Sequence, residues 1–236
     1  MRVRLKTGPA ALFGAIFVVA LVLLLPMRVA LGWFGAGAQG LTAREVRGSI
    51  WGGTLREAAF GDIALGDLKA GVSPLALLVG RARIAVDSLD GTSLHGALIV
   101  SRHSAGIADT TASIATGRVF DPLPVASIDL AGVQAVFEDD RCARAEGNVR
   151  VLLNGGIAGI DVSELRGDAR CDAGALLLPL TGAGGTASAM VRIEGDGRFH
   201  ADLSVQPLDA DAGQKLVLSG LQPGPRGYTL STEGHF

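Results

Sequence analysis

Residues Met190–Val205 read MVRIEGDGRFHADLSV and contain the clearest periodicity of the chain. Apolar side chains occupy odd positions and polar ones even positions on both sides of a glycine-containing centre, as in two strands that bury one shared face. The apolar residues have odd numbers in both strands, so odd-numbered residues must pair with odd-numbered ones across the hairpin. This requires a three-residue loop, because a two-residue turn would set apolar Ile193 opposite polar His200. We therefore predict a hairpin with the loop Gly195–Gly197, Ile193 paired with Phe199, and a glycine in the left-handed conformation.

Weaker alternation in four other segments extends this pattern along the chain. These segments are Arg81–Leu89, Leu94–Ser101, Asn148–Asn154 and Lys215–Ser219. The strands follow one another at short intervals with glycine at most junctions, and the 236 residues include 34 glycines. Without crossover helices, consecutive strands form an antiparallel meander. The sequence predicts a mainly β fold: one N-terminal transmembrane helix, then a curved antiparallel sheet, a meander or half-pipe.

One short helical signal near residues 73–80 interrupts the strands. Ser73 suits the N-cap, Pro74 the first helical position and Gly80 the left-handed stop. We predict a helix of little more than one turn between these residues.

The N-terminus has the composition of a membrane anchor. Three basic residues, Arg2, Arg4 and Lys6, precede a window from Thr7 to Met27 without any charge. About 20 apolar residues of helix span a bilayer, and the basic residues stay in the cytoplasm. We predict residues 1–9 in the cytoplasm, an anchor over 10–32 and a periplasmic β-domain over 40–236 of a bacterial inner-membrane protein.

Trp33 and Phe34 then fall where an aromatic belt at the membrane surface is expected. The alternative is a signal peptide cleaved at the small residues 36–38, although the apolar run is longer than such peptides usually have. Both interpretations put the body outside the cytoplasm.

The stretch VRGSIWGG, residues 46–53, places a tryptophan among glycines just after this segment. Gly48 and Gly52 flank a short strand, and Trp51 is large enough to fill one end of a curved sheet. We interpret the stretch as a structural corner, with partner contact by Trp51 as the alternative.

Cys142 and Cys171 are the only cysteines, and each begins a strand-like run. In an oxidising compartment an isolated pair is most simply a disulfide. Their spacing fits no zinc pattern, and no histidine lies near either one.

Other chemistry is weakly represented. The net charge of −2 lacks the basic field that nucleic acid requires. Glu138–Asp140 is interpreted as a solvated turn or strand end, and the histidines as surface residues. No nucleophile or dinucleotide motif is present, so we expect no enzyme, no metal and no cofactor; a hydrolase that depends on Asp139 or His103 is the remaining alternative.

Several of these blocks together resemble the type II secretion system protein N family. They are, in order, VRGSIWGGTL at 46–55, Ser73-Pro74-Leu75 with Leu77-Leu78, Gly80-Arg81, and the strand motifs that begin at Cys142 and Cys171. The resemblance implies a single-pass inner-membrane accessory component that supports export of folded proteins. It would act by contacts with the inner-membrane platform and the outer-membrane secretin.

A second likeness concerns lipid. Ser-Pro-Leu-x-x-Leu, a glycine and then an alternating strand also resemble the lipid-handling grooves of AsmA-type envelope proteins. Shared architecture does not transfer function, so lipid carriage stands as the alternative, to be judged by whether an apolar face is left uncovered.

Overall fold

The computed structural model describes residues 7–33, 37, 40–61, 63–78, 80–89, 94–116, 125–154, 162–207, 210–218, 220–224 and 227–235. Arg2, Arg4, Lys6 and Phe34 lie outside these residues, as do two of the three small residues at 36–38.

Four helices and sixteen strands are found within the described residues. The helices are α1 (Thr7–Leu23), α2 (Met27–Trp33), α3 (Pro74–Leu78) and α4 (Ala210–Leu218). The strands are β1 (Leu41–Thr42), β2 (Glu45–Ser49), β3 (Gly52–Phe60), β4 (Ile63–Val72), β5 (Ala82–Ser88), β6 (His95–Val100), β7 (Ser104–Ala115), β8 (Val125–Glu138), β9 (Arg141–Leu153), β10 (Glu164–Asp168), β11 (Arg170–Asp172), β12 (Ala175–Gly182), β13 (Ala187–Ile193), β14 (Arg198–Val205), β15 (Gln222–Gly224) and β16 (Gly227–His235).

All sixteen strands belong to one open antiparallel sheet. From β3 to β10 and again from β12 to β14, each strand pairs with the next in the chain, which confirms the predicted meander. The order departs from a meander at the C-terminal end, where β16 lies between β14 and the outer strand β15. Short β1 and β2 both pair with β3 at the opposite edge.

The hairpin that suggested the fold forms as predicted. Ile193 pairs with Phe199, and the Glu194 N–H donates to the Arg198 carbonyl at 2.9 Å across the three-residue loop. Gly197 has φ +90° and donates its N–H to the Glu194 carbonyl. Two-residue side-chain periodicity therefore fixed both the loop length and the register.

The predicted strand at Lys215–Ser219 is wrong, because residues 210–218 form α4. The four residues Lys215–Leu218 fit both the two-residue period of a strand and the 3.6-residue period of a helix. The helix begins five residues before Lys215, outside the segment that was interpreted as a strand. Leu216 is fully buried in the core, and Gly220 ends the helix with φ +90°. Burial of one helical face thus overrode the local strand pattern.

A row of irregularities crosses the middle of the sheet. The register shifts near Thr110 in β7 and near Gly132 in β8, and a Cβ on Gly147 of β9 would lie 2.6 Å from the Gly132 carbonyl oxygen. The Gly147 carbonyl accepts from Ala169, which separates β10 from β11. Because each bulge bends its strand, a row of bulges bends the sheet along that row.

The main core lies on one face of the second half of the sheet. It joins Val133 and Val149 to Leu165, Leu203 and the helical Leu216, all less than 9% exposed. A second cluster at the N-terminal edge contains Met27, Leu55 and Leu68 among others. Strands β5 and β6 connect the two.

The N-terminal apolar segment forms two helices, α1 and α2, separated by residues 24–26. Among the described residues, no helix combines the length and apolar character needed to cross a bilayer. The side chains of α1 are exposed over most of its length, including Leu12, Phe13 and Phe17.

Candidate functional site

Residues Gly48–Gly53, called the corner, lie where the N-terminal helices meet the sheet. One side-chain contact and two backbone contacts make this junction. The Trp51 indole N–H donates to the Val22 carbonyl at 3.2 Å, and the Ile50 N–H donates to the Leu25 carbonyl at 3.1 Å. Pro26 forms an isolated bridge with Ser49. The corner therefore holds the end of α1 against the first edge of the sheet.

Glycines allow this close approach. A Cβ on Gly53 would collide with Met27 Sδ, and one on Gly71 would lie 2.6 Å from the Trp51 carbonyl oxygen. Gly48 has φ +91°, a conformation that favours glycine. Gly52 differs from these three, since a Cβ there would have no heavy atom within 4 Å.

The short helix α3 forms as predicted between Ser73 and Gly80, and the residue two positions before it contacts the corner. The Val72 N–H donates to the Ile50 carbonyl at 2.8 Å, and Ser73 then donates its backbone N–H to Arg83. Pro74 is the first helical residue, and Gly80 has φ +73°. The structure thus brings the corner and the start of α3 together through Val72, whereas Gly80 lies at the far end of that helix.

A second junction, called the turn cluster, lies at one end of the sheet. It consists of three turns: Asp139–Asp140, Ala173–Gly174 and Gly195–Gly197. A Cβ on Gly195 would collide with the backbone of Asp140, so the first and third turns touch. The Cys142 N–H donates to the Gly174 carbonyl at 2.8 Å, which joins the first turn to the second.

The predicted disulfide joins Cys142 at the start of β9 to Cys171 in β11, with 5.5 Å between their Cα atoms. The two strands are not paired with each other. The covalent bond therefore links segments that the backbone ladder leaves separate. Cys142 also packs against a small buried cluster with Ala135, Ala169 and Leu176.

Charges around the turn cluster are largely paired. Arg198 contacts Asp196 at 2.7 Å and Glu194 at 2.6 Å, and Arg192 contacts Asp172 at 3.2 Å. The pKa of Asp196 lies below its ordinary value because the Arg198 backbone N–H and then its guanidinium donate hydrogen bonds to the carboxylate. The shallow depression between the turns is thus polar and close to neutral.

The carboxylates at 138–140 lie at the exposed end of β8 and in the turn that follows it, in agreement with the predicted solvated turn or strand end. Asp139 and Asp140 both have positive φ in the two-residue connection from β8 to β9, and Asp139 contacts His103 at 3.2 Å. Within the described residues, no three side chains of the types that ligate metals gather at one place. The side chains of this turn are therefore exposed and charged.

An apolar surface that sequence analysis did not locate lies between the two cores. Ile84, Leu98 and Ile107 face the same side of neighbouring strands β5, β6 and β7, since their Cα atoms are paired in register. Leu98 is 43% exposed and Val100, two residues further on, is 47% exposed. The sequence feature that could have indicated this surface is the run Ala97–Val100. Because all four residues are apolar, the run does not show which face of the strand is covered.

These features define a single-sheet β protein with two tightly packed junctions, of which one ties apolar helices to the sheet. The family model for protein N of the type II secretion system (T2SS) matches residues 39–230, and the chain belongs to that family. The resemblance noted from the motifs is thereby confirmed. No curated protein and no solved structure matches the chain. Family membership gives the protein an accessory role in type II secretion.

Proposed function

We propose that the protein is an inner-membrane component that supports export of folded proteins from the periplasm through protein–protein contacts. Its partners would be the inner-membrane platform and the outer-membrane secretin. The observation that carries this proposal is the family match over residues 39–230, which spans nearly the whole sheet.

Attachment to the membrane is part of the same proposal. Residues 10–32 would anchor the chain in the inner membrane, with residues 1–9 in the cytoplasm and residues 40–236 in the periplasm. The exposed apolar side chains of α1, among them Ile16 and Phe17, support contact with the bilayer, as does Trp33 at 73% exposure. The corner would then transmit the position of the anchor to the sheet, and Trp51 would act mainly as a structural residue.

A secretion assay tests the proposal. In a strain that lacks this gene, folded exoproteins are expected to accumulate in the periplasm, and the full chain is expected to restore them to the medium. A periplasmic marker enzyme measured in the same medium controls for leakage. Normal secretion in the deletion strain would contradict the proposal.

Lipid handling is the second candidate, and one observation favours it. The apolar face at Leu98 and Val100 is only partly covered among the described residues, although it continues into buried clusters on both sides. Phospholipid bound to the purified full chain, measured by mass spectrometry, would support this function. Leu98→Asp should remove that lipid, whereas Leu75→Asp, at a 75% exposed position on α3, should leave it.

A further inference from the structure

The two edges of the open sheet differ in how they are closed. At the first edge, β2 ends at Ser49, which forms a bridge with Pro26, and the Arg47–Glu45 ion pair adds charge to β2. At the other edge, β15 pairs only with Gly227–Thr229 of β16. Among the described residues, nothing pairs with the outer side of Leu230–His235. We call this segment the β16 edge.

Hydrogen bonding in the preceding hairpin shows which backbone groups point outward. The Glu194 N–H donates to Arg198, and the Gln206 N–H donates to the Thr186 carbonyl at 2.7 Å. Even-numbered residues of β14 therefore bond to β13, and odd-numbered ones bond to β16, because the direction alternates along an antiparallel strand.

The same alternation carries over to β16. Leu203 pairs with Leu230 and Ala201 with Thr232, so these even-numbered residues of β16 bond to β14. The N–H and carbonyl groups of Ser231 and Glu233 consequently point away from the sheet. An edge with such unpaired groups is a template for one more strand.

We propose that the β16 edge binds an extended segment of a partner protein, which adds one strand to the sheet. The inference rests on the proposed contact function and adds the surface and the kind of segment bound. Main-chain hydrogen bonds to Ser231 and Glu233 give such a complex its affinity, and alternate side chains give it specificity.

The two faces of the edge define the chemistry of the partner segment. On one face lies Leu230, which packs against the main core, and a Cβ on Gly234 of the same face would collide with the Phe199 ring. On the other face Glu233 has an 80% exposed side chain, and Ser231 donates to Asp202. The partner strand therefore alternates apolar residues with lysine or arginine.

Charge selects such a partner over a second copy of this chain. Symmetric antiparallel pairing of two β16 edges would bring a second Glu233 and a second Asp202 to the same polar face. His200 lies between these two carboxylates, at 3.0 Å from Asp202 and 3.3 Å from Glu233, so its ring is already engaged within one chain. Like charges on opposing strands destabilise a pair.

Site-specific photocrosslinking in the host cell tests the proposal. A benzoylphenylalanine replaces His235, an exposed edge residue, in the full chain. The expected product is one adduct whose partner peptide, identified by mass spectrometry, has alternating apolar and basic residues. The same probe at Gln214, exposed on α4, should not give this adduct.

Two variants connect the adduct to strand addition. Ser231→Pro removes one outward N–H and should lower the adduct yield about tenfold, while proline is tolerated on the open side of an edge strand. Ser231→Ala, which loses only the hydroxyl, should retain the yield. Glu233→Lys leaves the backbone intact and should lower the yield roughly fivefold through repulsion of the basic partner.

Three outcomes would overturn the inference: an adduct between two copies of this chain, an adduct unaffected by Ser231→Pro and Glu233→Lys, or no adduct from a folded chain. Failure of the proposed function is separable from these outcomes. If the deletion strain secretes normally while the adduct forms and responds to both variants, the edge is a binding site for a partner outside secretion.

Discussion

The corner and the turn cluster both join distant parts of the chain, but by different means. The corner relies on close backbone approach, with hydrogen bonds from Trp51 and Ile50 to the end of α1. The turn cluster combines a disulfide, touching turns and ion pairs. Because the corner has no covalent bond, it depends on glycines whose missing side chains let the backbone segments approach closely. A disulfide, in contrast, keeps its two residues together even when the local packing is imperfect.

The largest expected effect comes from the covalent bond. Cys142→Ala with Cys171→Ala should lower the free energy of unfolding by about 3.5 kcal/mol, because the closed loop of about 30 residues regains its entropy in the unfolded chain. Urea denaturation of the full chain in detergent measures this loss. The reduced wild-type protein should have the same urea midpoint as the double variant. If neither sample differs from the oxidised wild-type protein, the turn cluster is held by its other contacts.

The corner should break through a single added side chain. Gly71→Ala places a Cβ 2.6 Å from the Trp51 carbonyl oxygen and should lower the free energy of unfolding by about 2 to 3 kcal/mol. Gly52→Ala is the matched control, since the space around Gly52 is open and its stability should change by no more than about 0.5 kcal/mol. Equal effects of the two changes would contradict close backbone approach as the basis of the corner.

A smaller effect should follow from the indole hydrogen bond. Trp51→Phe keeps most of the ring but loses the donor to the Val22 carbonyl, and should cost about 1 kcal/mol in unfolding free energy. Faster hydrogen exchange of the Ile50 amide would place the loss at the corner. Trp33→Phe, at an exposed position, serves as the control and should leave both quantities unchanged.

The smallest effect concerns charge at the turn cluster. The pKa of Asp196 is lowered by hydrogen bonds from Arg198, so its contribution to stability is complete above the ordinary aspartate pKa of about 3.9 and disappears as the pH falls through the folded value. Asp196→Asn should therefore show a shallower fall in urea midpoint below about pH 4 than the wild-type protein. Identical acid profiles would mean that the disulfide and the backbone contacts alone stabilise these turns.

The sequence predicted the structure correctly where one segment contains the whole signal. The parity of Met190–Val205 gave its loop and register, and Pro74 and Gly80 gave the limits of α3. It failed at Lys215–Ser219, where helix and strand patterns coincide over a short run. It also missed the bulges, because Leu130 and Val133 belong to the same core across a register shift that reverses parity.

The candidate sites divide in the same way. Gly48, Trp51 and Gly52 were identified from an unusual local composition, but the contact of Trp51 with α1 depends on a residue 29 positions earlier, Val22. The exposure of Leu98 and the position of the β16 edge could not be predicted from the residues around them. Both depend on which other segments of the chain pack against or pair with these strands.

The sequence by itself determined the strand periodicity, the helix stops, the disulfide partners and the family, because each of these is written within short segments or in a unique pair of cysteines. Only the tertiary structure decided which glycines must lack a side chain and, within the described part of the chain, which apolar face is exposed and which edge of the sheet has unpaired backbone groups. These properties depend on how all the strands pair with one another. A bulge such as the one near Gly132, or a helix such as α4, changes which residues share a face without changing the apolar and polar pattern of the sequence on either side.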